Sequence, residues 1–376
     1  MPSGENRVIP AKEFHHRIRN ATRAMQEQGL SGLILTMTSD IRYLTNYNPL
    51  VAGDSHVEGA ALILTEKSEP SLLIDFPSDM PRARSLSVVS GVRFSPTLGT
   101  GISEELSKAK VNGRVGIAGW GVFPTPAYLT LQRDHPQTKL EVADELLRDE
   151  RMKKSPSEIK LLKKALKISE EALEKAWEAL KEGVTEFELA VIIDSTMRSL
   201  GSEGGFAFPT IIISGLRSNL MIGFPSRRKI RRGEPVLMDL GARVEGYCAD
   251  LSRTLVCGRP NQKQKEVVAA IHQMYAELVR RSKPGMGAND LDKASAKVAK
   301  ECGFGSNVQH LAGHGVGIDV HEKPLFDVEN TPLMPSTVDA LEPGLYVPSV
   351  GGFIVENTAI ITDSGCEVWN KIPLGQ

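Results

Sequence analysis

Two aspartates in one short segment have the spacing to hold a divalent cation. Asp239 follows an apolar run, and Asp250 lies eleven positions later, beyond the polar turn Glu245–Gly246. Apolar residues on both sides of a glycine-bearing turn predict an antiparallel hairpin. A four-residue loop at residues 243–246 would place the two carboxylates directly opposite each other, where they repel unless a cation lies between them. The alternative is that one or both aspartates are solvated or cap a turn.

A glycine-rich segment supplies histidines. Residues 310–324 read HLAGHGVGIDVHEKP, so His310, His314 and His321 lie within twelve positions, with Glu322 beside the last of them. One buried histidine is usually only a hydrogen-bonded core residue. Three of the chain's eight histidines, among glycines that let the backbone approach closely, favour a functional site.

Two glutamates occupy strands that are otherwise apolar. Glu342 and Glu356 lie on either side of a turn at residues 348–351, which predicts a second hairpin. A buried carboxylate without a partner is costly, so two of them indicate a cation. Four carboxylates and one histidine on neighbouring strands are the ligand set expected for two divalent ions. The candidate ligands are Asp239, Asp250, His314, Glu342 and Glu356.

Composition limits the class of protein. The chain has 376 residues, 41% hydrophobic and 24% charged, which predicts two globular domains. A formal net charge of −1 argues against nucleic-acid or membrane-surface partners. Four widely spaced cysteines favour a reducing cytosol. We find neither a signal peptide nor an apolar run of transmembrane length, and we therefore predict a soluble cytoplasmic protein.

The predicted elements divide the chain in two. Strands alternating with helices up to residue 150 predict a three-layer α/β domain without clustered chemistry. Its polar residues are expected at surfaces or interfaces: His15, His16, Asp54, His56 and His135. A charged run then leads into Ser155 and Glu158, which predict a capping box and a long amphipathic helix. We therefore predict domains at 1–150 and 151–376.

The order and spacing of the five candidate ligands resemble the pita-bread metallohydrolases: methionine aminopeptidase, Xaa-Pro aminopeptidase, prolidase and creatinase. The similarity is greatest to the Xaa-Pro aminopeptidase and prolidase branch, and it covers nearly the whole chain, including a charged hinge at Arg151–Ile159. It implies an N-terminal creatinase-like three-layer α/β domain and a pita-bread α+β catalytic domain. It also implies two divalent ions (manganese, cobalt, zinc or iron) and a homodimer.

The same resemblance implies a role for each residue. Asp239 would chelate one metal through both oxygens, Asp250 and Glu356 would bridge the two metals, and His314 and Glu342 would complete the set of ligands to the second metal. A metal-bridging hydroxide would then attack an amide C–N bond of a small peptide or other amide. The remaining candidates serve the reaction: Glu342 shuttles a proton, His310 and His321 stabilise the oxyanion or hold the substrate, and Tyr346 supports Glu342.

Two positions depart from the family pattern. Ile222 stands where a histidine is usual, and Ile354 stands where an arginine is usual, two residues before the last glutamate. Both changes are expected to make a pocket wall apolar and uncharged. They leave open an enzyme of the same fold acting on a non-peptide molecule, of creatinase, ectoine hydrolase or dimethylsulfoniopropionate lyase type. A non-catalytic binding module is a third alternative, which the complete ligand set disfavours.

Overall fold

The computed structural model describes residues 8–49, 59–204 and 206–375. The chain divides into two compact units, Met1–Glu150 and Arg151–Gln376. Two polar residues named above, Asp54 and His56, lie outside the described residues. Within those ranges, none of the helices combines the length and the hydropathy needed to cross a lipid bilayer.

The first unit contains a six-stranded mixed sheet. Its strands are β1 (Gly32–Leu35), β2 (Ala60–Thr65), β3 (Ser71–Ile74), β4 (Gly91–Phe94), β5 (Arg114–Ala118) and β6 (Lys139–Val142), in the order β4-β3-β2-β1-β5-β6. The helices up to residue 152 are α1 (Ala11–Glu27), α2 (Thr38–Thr45), α3 (Met80–Leu86), α4 (Leu98–Lys108), α5 (Thr125–Asp134) and α6 (Glu145–Met152). Strands β1, β5 and β6 run parallel, whereas β2 is antiparallel to both neighbours. The predicted α/β class is confirmed.

The second unit begins with the predicted capping box. The Ser155 hydroxyl accepts a hydrogen bond from the Glu158 amide at 3.2 Å, and the Glu158 carboxylate accepts one from the Ser155 amide at 2.8 Å. This box starts a helix whose buried stripe faces the sheets. The helices of the unit are α7 (Pro156–Ala179), α8 (Glu186–Ser199), α9 (Gln262–Arg281) and α10 (Ala288–Glu301).

Antiparallel strands form the rest of the second unit. They are β7 (Ile211–Ser214), β8 (Pro235–Leu240), β9 (Arg243–Val244), β10 (Tyr247–Cys248), β11 (Leu251–Val256), β12 (Gly313–Gly315), β13 (Glu322–Leu325), β14 (Val338–Leu341), β15 (Gly344–Val347), β16 (Gly351–Ile354), β17 (Asn357–Ile361) and β18 (Cys366–Val368). One sheet has the order β11-β8-β7, a second has the order β13-β12-β14-β17-β18, and β9-β10 and β15-β16 are two-stranded ladders.

The main core of this unit lies on one side of these strands. Apolar residues of α9 and α10 pack against Leu341, Leu345, Phe353 and Val355. Successive residues of a strand point to opposite faces, so the residues between these positions are directed away from the helices. Glu342, Tyr346, Ile354 and Glu356 are thereby placed on the face that carries the candidate ligands.

Candidate metal centre

The first hairpin has a shorter turn than the sequence predicts. The turn residues are Glu245 and Gly246, with φ of 47° and 87°, a two-residue connection instead of four. The flanking strands therefore pair Asp239 with Ser252, and the prediction that Asp239 lies opposite Asp250 is wrong by two residues. A shift of two positions keeps a side chain on the same face. Oxygens of Asp239 and Asp250 still lie within 4.8 Å of each other.

The second hairpin passes from one sheet to another at its two glutamates. Its inner part pairs Gly344 with Ile354, and its outer part pairs Leu341 with Asn357. Both pairs share one register, which places Glu342 opposite Glu356 at the break between the two ladders. The predicted single hairpin is therefore split. Both glutamates lie where the backbone leaves one sheet to join the next.

His314 lies on β12, in the middle of the five-stranded sheet. Its neighbour across the ladder is Ala340 of β14. The ring Nδ1 is 3.0 Å from the Gly315 carbonyl oxygen, which can only accept a hydrogen bond, so Nδ1 carries the proton. In the neutral ring the lone pair of Nε2 is then free for a cation. Without a cation, burial lowers the pKa of His314, but the adjoining Glu342 carboxylate outweighs burial and raises it, which favours the protonated ring. Nε2 lies 3.3 Å from Glu342 Oε1 and 3.5 Å from Asp250 Oδ2.

The five candidate ligands fall in overlapping groups, and the ligand atoms within each group lie within 4.8 Å of one another. Glu356 belongs to two of these groups, one with Asp239 and Asp250 and the other with His314 and Glu342. A third group joins Asp250 and His314 to His321. Asp239 Oδ1 and Glu356 Oε1 are buried without a hydrogen-bond partner. Buried oxygens without a donor, clustered with more carboxylates, fit a divalent cation by their chemistry.

The crowding of these acids alters their ionisation. Burial raises the pKa of Asp239 to about 7. Burial and the neighbouring charge of Glu356 raise the pKa of Asp250 well above its ordinary value, and burial and the charge of Glu342 do the same to the pKa of Glu356. For Glu342 burial acts in the same direction, but the close approach of His314 outweighs it and lowers the pKa. Without a cation, the cluster therefore retains protons that a bound metal would displace.

Two further histidines and a tyrosine surround this cluster. His310 Nδ1 lies 4.0 Å from Glu342 Oε2, and its Nε2 is buried without a hydrogen-bond partner. The ring of His310 meets Tyr346 edge-on at 5.5 Å, while the His321 ring lies 4.1 Å from that of His314. A Cβ on Gly344 would approach His310 Nε2 to 2.5 Å. Glycine is therefore required at this position for the imidazole to reach the pocket.

Tyr346 and His321 remain uncharged in this setting. Burial raises the pKa of Tyr346, so its hydroxyl stays protonated, and that oxygen has no hydrogen-bond partner. Burial and the nearby His314 lower the pKa of His321 below its ordinary value. Both groups can therefore serve as neutral hydrogen-bond donors toward the centre.

A buried cluster of ion pairs supports the histidine segment. The sequence analysis did not predict this cluster. Glu322 accepts hydrogen bonds from Lys154 Nζ at 2.6 Å and from Arg151 Nη2 at 2.5 Å. Burial opposes the charge on Glu322, but the two cations lower its pKa below the ordinary value. Arg151 also contacts Asp319 at 2.7 Å. The charged residues of the predicted hinge thus hold the chain on both sides of His321. The charged composition of the hinge was the sequence signal for these ion pairs.

Asp339 is a second residue that the sequence argument missed. It lies on β14 opposite Gly315, fully buried, and neither carboxylate oxygen has a hydrogen-bond partner. Burial raises the pKa of Asp339 to about 7. The criterion that selected Glu342, an acid inside an apolar strand, applies equally to Asp339.

The two departures from the expected pattern occupy different environments. Ile354 is buried and packs with Tyr346 and Leu237. Ile222 is 69% exposed, and its neighbour Met221 contacts that apolar cluster instead. Met221 has a φ of 62°, and the turn there directs the Ile222 side chain to solvent. Ile354 and Met221 therefore both belong to this apolar cluster, and Ile222 does not.

Comparison with known families identifies both units. Residues 160–363 match the model of metallopeptidase family M24, and residues 17–153 match the creatinase/prolidase N-terminal domain. An Xaa-Pro dipeptidase of Pyrococcus horikoshii is 31% identical over 368 residues, which cover 95% of this chain and 97% of the relative.

Solved structures agree with these matches. The prolidase from Pyrococcus horikoshii superimposes with a TM-score of 0.87 at 30% identity, covering 95% of this chain and 99% of the other. An X-Pro aminopeptidase from Thermotoga maritima superimposes with a TM-score of 0.86 at 25% identity, covering 95% and 98% of the two chains.

Proposed function

Because the chain belongs to metallopeptidase family M24, the pita-bread hydrolases, we propose that it is a dinuclear metal-dependent hydrolase of Xaa-Pro peptides. The catalytic part is residues 151–376, and residues 1–150 form the creatinase-like domain. The bond cleaved is the amide between the first residue and proline.

The overlap of the two ligand groups at Glu356 carries this proposal. Asp239 would serve one cation, His314 and Glu342 the other, and Asp250 and Glu356 both. When bound, two divalent ions would lower the pKa of a water and polarise the scissile carbonyl. Oxygen and imidazole ligands suit manganese, cobalt, zinc or iron.

The protein's own groups position the substrate and move protons. Glu342 lies beside His314 and His310 and would carry the proton from the attacking water to the leaving nitrogen. His310 presents an Nε2 without a partner, and His321 presents a neutral ring on the same side. We assign both to hydrogen bonds with the tetrahedral oxyanion or with the substrate. Because His310 Nδ1 donates to the Leu311 carbonyl at 2.8 Å, its Nε2 would accept from the substrate in the neutral ring and donate to the oxyanion only in the doubly protonated ring. The Tyr346 hydroxyl would hold Glu342 in place.

Hydrolysis assays test this function. The purified chain, loaded with Mn²⁺ or Co²⁺, is given Ala-Pro, Gly-Pro and Xaa-Pro-Pro peptides, with Asp239→Ala as the control. We expect release of the N-terminal residue by the wild type alone. Turnover no greater than that of Asp239→Ala would reject the proposal. Metal analysis of the same samples separates this function from a binding module, which would remain free of metal under loading conditions.

One observation favours a second candidate. The position two residues before Glu356 is the buried, apolar Ile354, and an apolar wall also suits a small amide that is not a peptide. A screen of creatine-like amidines and osmolyte-like amides covers this candidate. Efficient cleavage of Xaa-Pro peptides by the wild type would remove its basis.

We further propose that the enzyme is a cytoplasmic homodimer. The four cysteines are free thiols, as suits a reducing compartment, and the dimer follows from the family resemblance. Light scattering at micromolar concentration distinguishes a dimer from a monomer.

A further inference from the structure

The face that carries the carboxylates continues as an apolar surface. In β8, Leu237 and Asp239 point to one side, and in β7 Ile213 lies opposite Leu237 while Ile211 lies opposite Asp239. Ile354 packs on the same cluster. The apolar wall is defined by Ile211, Ile213, Met221, Leu237 and Ile354. It therefore begins directly across the ladder from a candidate metal ligand.

Part of this apolar wall is accessible. Ile213, Leu237 and Ile354 are buried, whereas Ile211 and Met221 are only partly buried. Apolar side chains left partly exposed beside a polar centre offer contact to an apolar group of a ligand. The Tyr346 ring belongs to the same cluster and meets the His310 ring edge-on at 5.5 Å. The surface beside the carboxylates is thus polar at the histidines and apolar at the wall.

The loop after β7 extends the apolar surface outward. Gly223 lies against Ile213, since a Cβ there would be 3.1 Å from its Cγ2. The neighbouring side chains of Leu220, Ile222 and Phe224 are 61%, 69% and 75% exposed. Exposed apolar residues contiguous with a pocket wall are typical of a ligand-binding surface.

Two arginines of this loop, Arg217 and Arg228, already face carboxylates, whereas Arg227 is exposed. Arg217 Nη1 lies 2.5 Å from Glu186 Oε2, and Glu186 is fully buried with further hydrogen bonds from Ser214 and Ser226. Arg228 pairs with Glu234 through both guanidinium nitrogens. These two guanidinium groups stabilise the base of the loop, where Glu186 and Glu234 balance their charge.

From this polarity we infer that the enzyme selects substrates whose group beyond the scissile bond is uncharged and apolar. A free dipeptide places a carboxylate on that side, and the apolar wall offers it no counter-charge. Its desolvation would then be uncompensated. Masking the carboxylate as an amide removes that penalty. The inference rests on the proposed function, because it takes the amide bond to lie at the carboxylate cluster.

A matched pair of ligands isolates this effect. Ala-Pro and Ala-Pro carboxamide differ only in the charge of the terminal group. We expect kcat/KM for the carboxamide to exceed that for the acid by at least about tenfold. The second readout is calorimetric binding of the reduced-bond analogues of both peptides, which cannot be hydrolysed. The carboxamide analogue is expected to bind at least about tenfold more tightly.

Two variants place the effect at the apolar wall. Ile354→Arg adds a cation and is expected to reverse the preference toward the acid, whereas Ile354→Met keeps the wall apolar and should preserve it. Met221→Lys introduces a cation at a partly exposed position and gives the same test should the buried arginine prevent folding. Circular dichroism melting verifies that each variant is folded.

The two proposals fail separately. Equal or tighter binding of the acid analogue, or no binding of either analogue, would overturn the inference. An unchanged preference in folded Ile354→Arg or Met221→Lys would also overturn it. Cleavage of neither peptide, together with tighter binding of the carboxamide analogue, would reject the proposed function and leave the inference standing.

Discussion

Glu342 lies opposite Glu356 across a hairpin, at the place where that hairpin passes from one sheet to the next. The pairs on both sides of the break keep one register. In this arrangement two carboxylates meet without their strands having to be hydrogen bonded at that point. The break is thus a structural device that brings like charges together, and a cation would compensate their repulsion.

The first prediction concerns pH and metal. In metal-free protein the Asp239 carboxyl has its pKa raised to about 7, while an unfolded aspartate has a pKa near 3.9. The native state then holds the extra proton between about pH 4 and 7, so its contribution to stability falls as pH rises through this window. We expect the metal-free chain to melt at a lower temperature at pH 7.5 than at pH 5.5.

Metal should reverse this trend. Mn²⁺ at about 100 times its dissociation constant contributes ~2.7 kcal/mol, or roughly 5–10 °C for a domain of this size. The increase in melting temperature should be larger at pH 7.5, because fewer protons must be displaced. Differential scanning calorimetry after chelation and after reloading measures both effects. An increment that is larger at pH 5.5 contradicts the assignment.

The second prediction is that Asp239→Asn stabilises the metal-free protein but weakens metal binding. The substitution removes one acid from a crowded, buried cluster, so metal-free protein at pH 7.5 should gain about 1–3 kcal/mol of stability. The same variant should lose more than about 100-fold in metal affinity. Urea denaturation and metal titration measure the two quantities. Asp363→Asn, an exposed substitution, should change neither.

The third prediction separates catalysis from metal binding. His310→Ala and His321→Ala are each expected to lower kcat on the order of 10²–10³-fold, because each would remove a hydrogen bond to the oxyanion or to the substrate. Metal content per chain should stay at the wild-type value. Elemental analysis alongside the kinetics tests this, with the exposed His15→Ala as the control. A fall in metal content would instead place these histidines among the ligands.

The fourth prediction concerns the ion pairs behind His321. Glu322→Gln leaves the buried Lys154 without its carboxylate, while Arg151 keeps its contact with Asp319, and the change should cost about 3–5 kcal/mol. The pKa of Glu322 is lowered in the folded state, so its contribution is present above the unfolded value near 4.3 and is lost as pH falls below it. The difference between wild type and variant should therefore shrink in acid.

Double substitution controls this result. Adding Lys154→Met to Glu322→Gln removes the cation that has lost its carboxylate and should recover part of the lost stability. Chemical denaturation of the four proteins in the cycle gives the coupling energy. If the changes in unfolding free energy of the two single variants simply add in the double variant, the contact between Lys154 and Glu322 contributes nothing to stability.

Much of the fold could be predicted from local patterns. The capping box of Ser155 and Glu158 is a hydrogen-bonding rule within one turn, so the start of the long helix was predicted correctly. Alternation of strands and helices gave the α/β class of the first unit for the same reason. The family resemblance is confirmed by the matches over both units.

The register of the first hairpin could not be predicted in this way. Glu245 and Gly246 can form the whole turn only if both adopt positive φ, as they do here. The pattern of apolar residues does not predict these backbone angles. The error displaced Asp250 by two positions and left it on the predicted face. Asp339 carries the same sequence signal as Glu342, an acid inside an apolar strand, so its burial could have been predicted.

By itself the sequence determined which side chains could bind a cation, because their chemistry is a property of each residue and their spacing is a property of the chain. Only the tertiary structure decided that two groups of ligands share Glu356, and that an apolar wall containing Ile354 borders them. Residues more than a hundred positions apart meet through the pairing of separate strands, and that pairing is set by the packing of the whole unit.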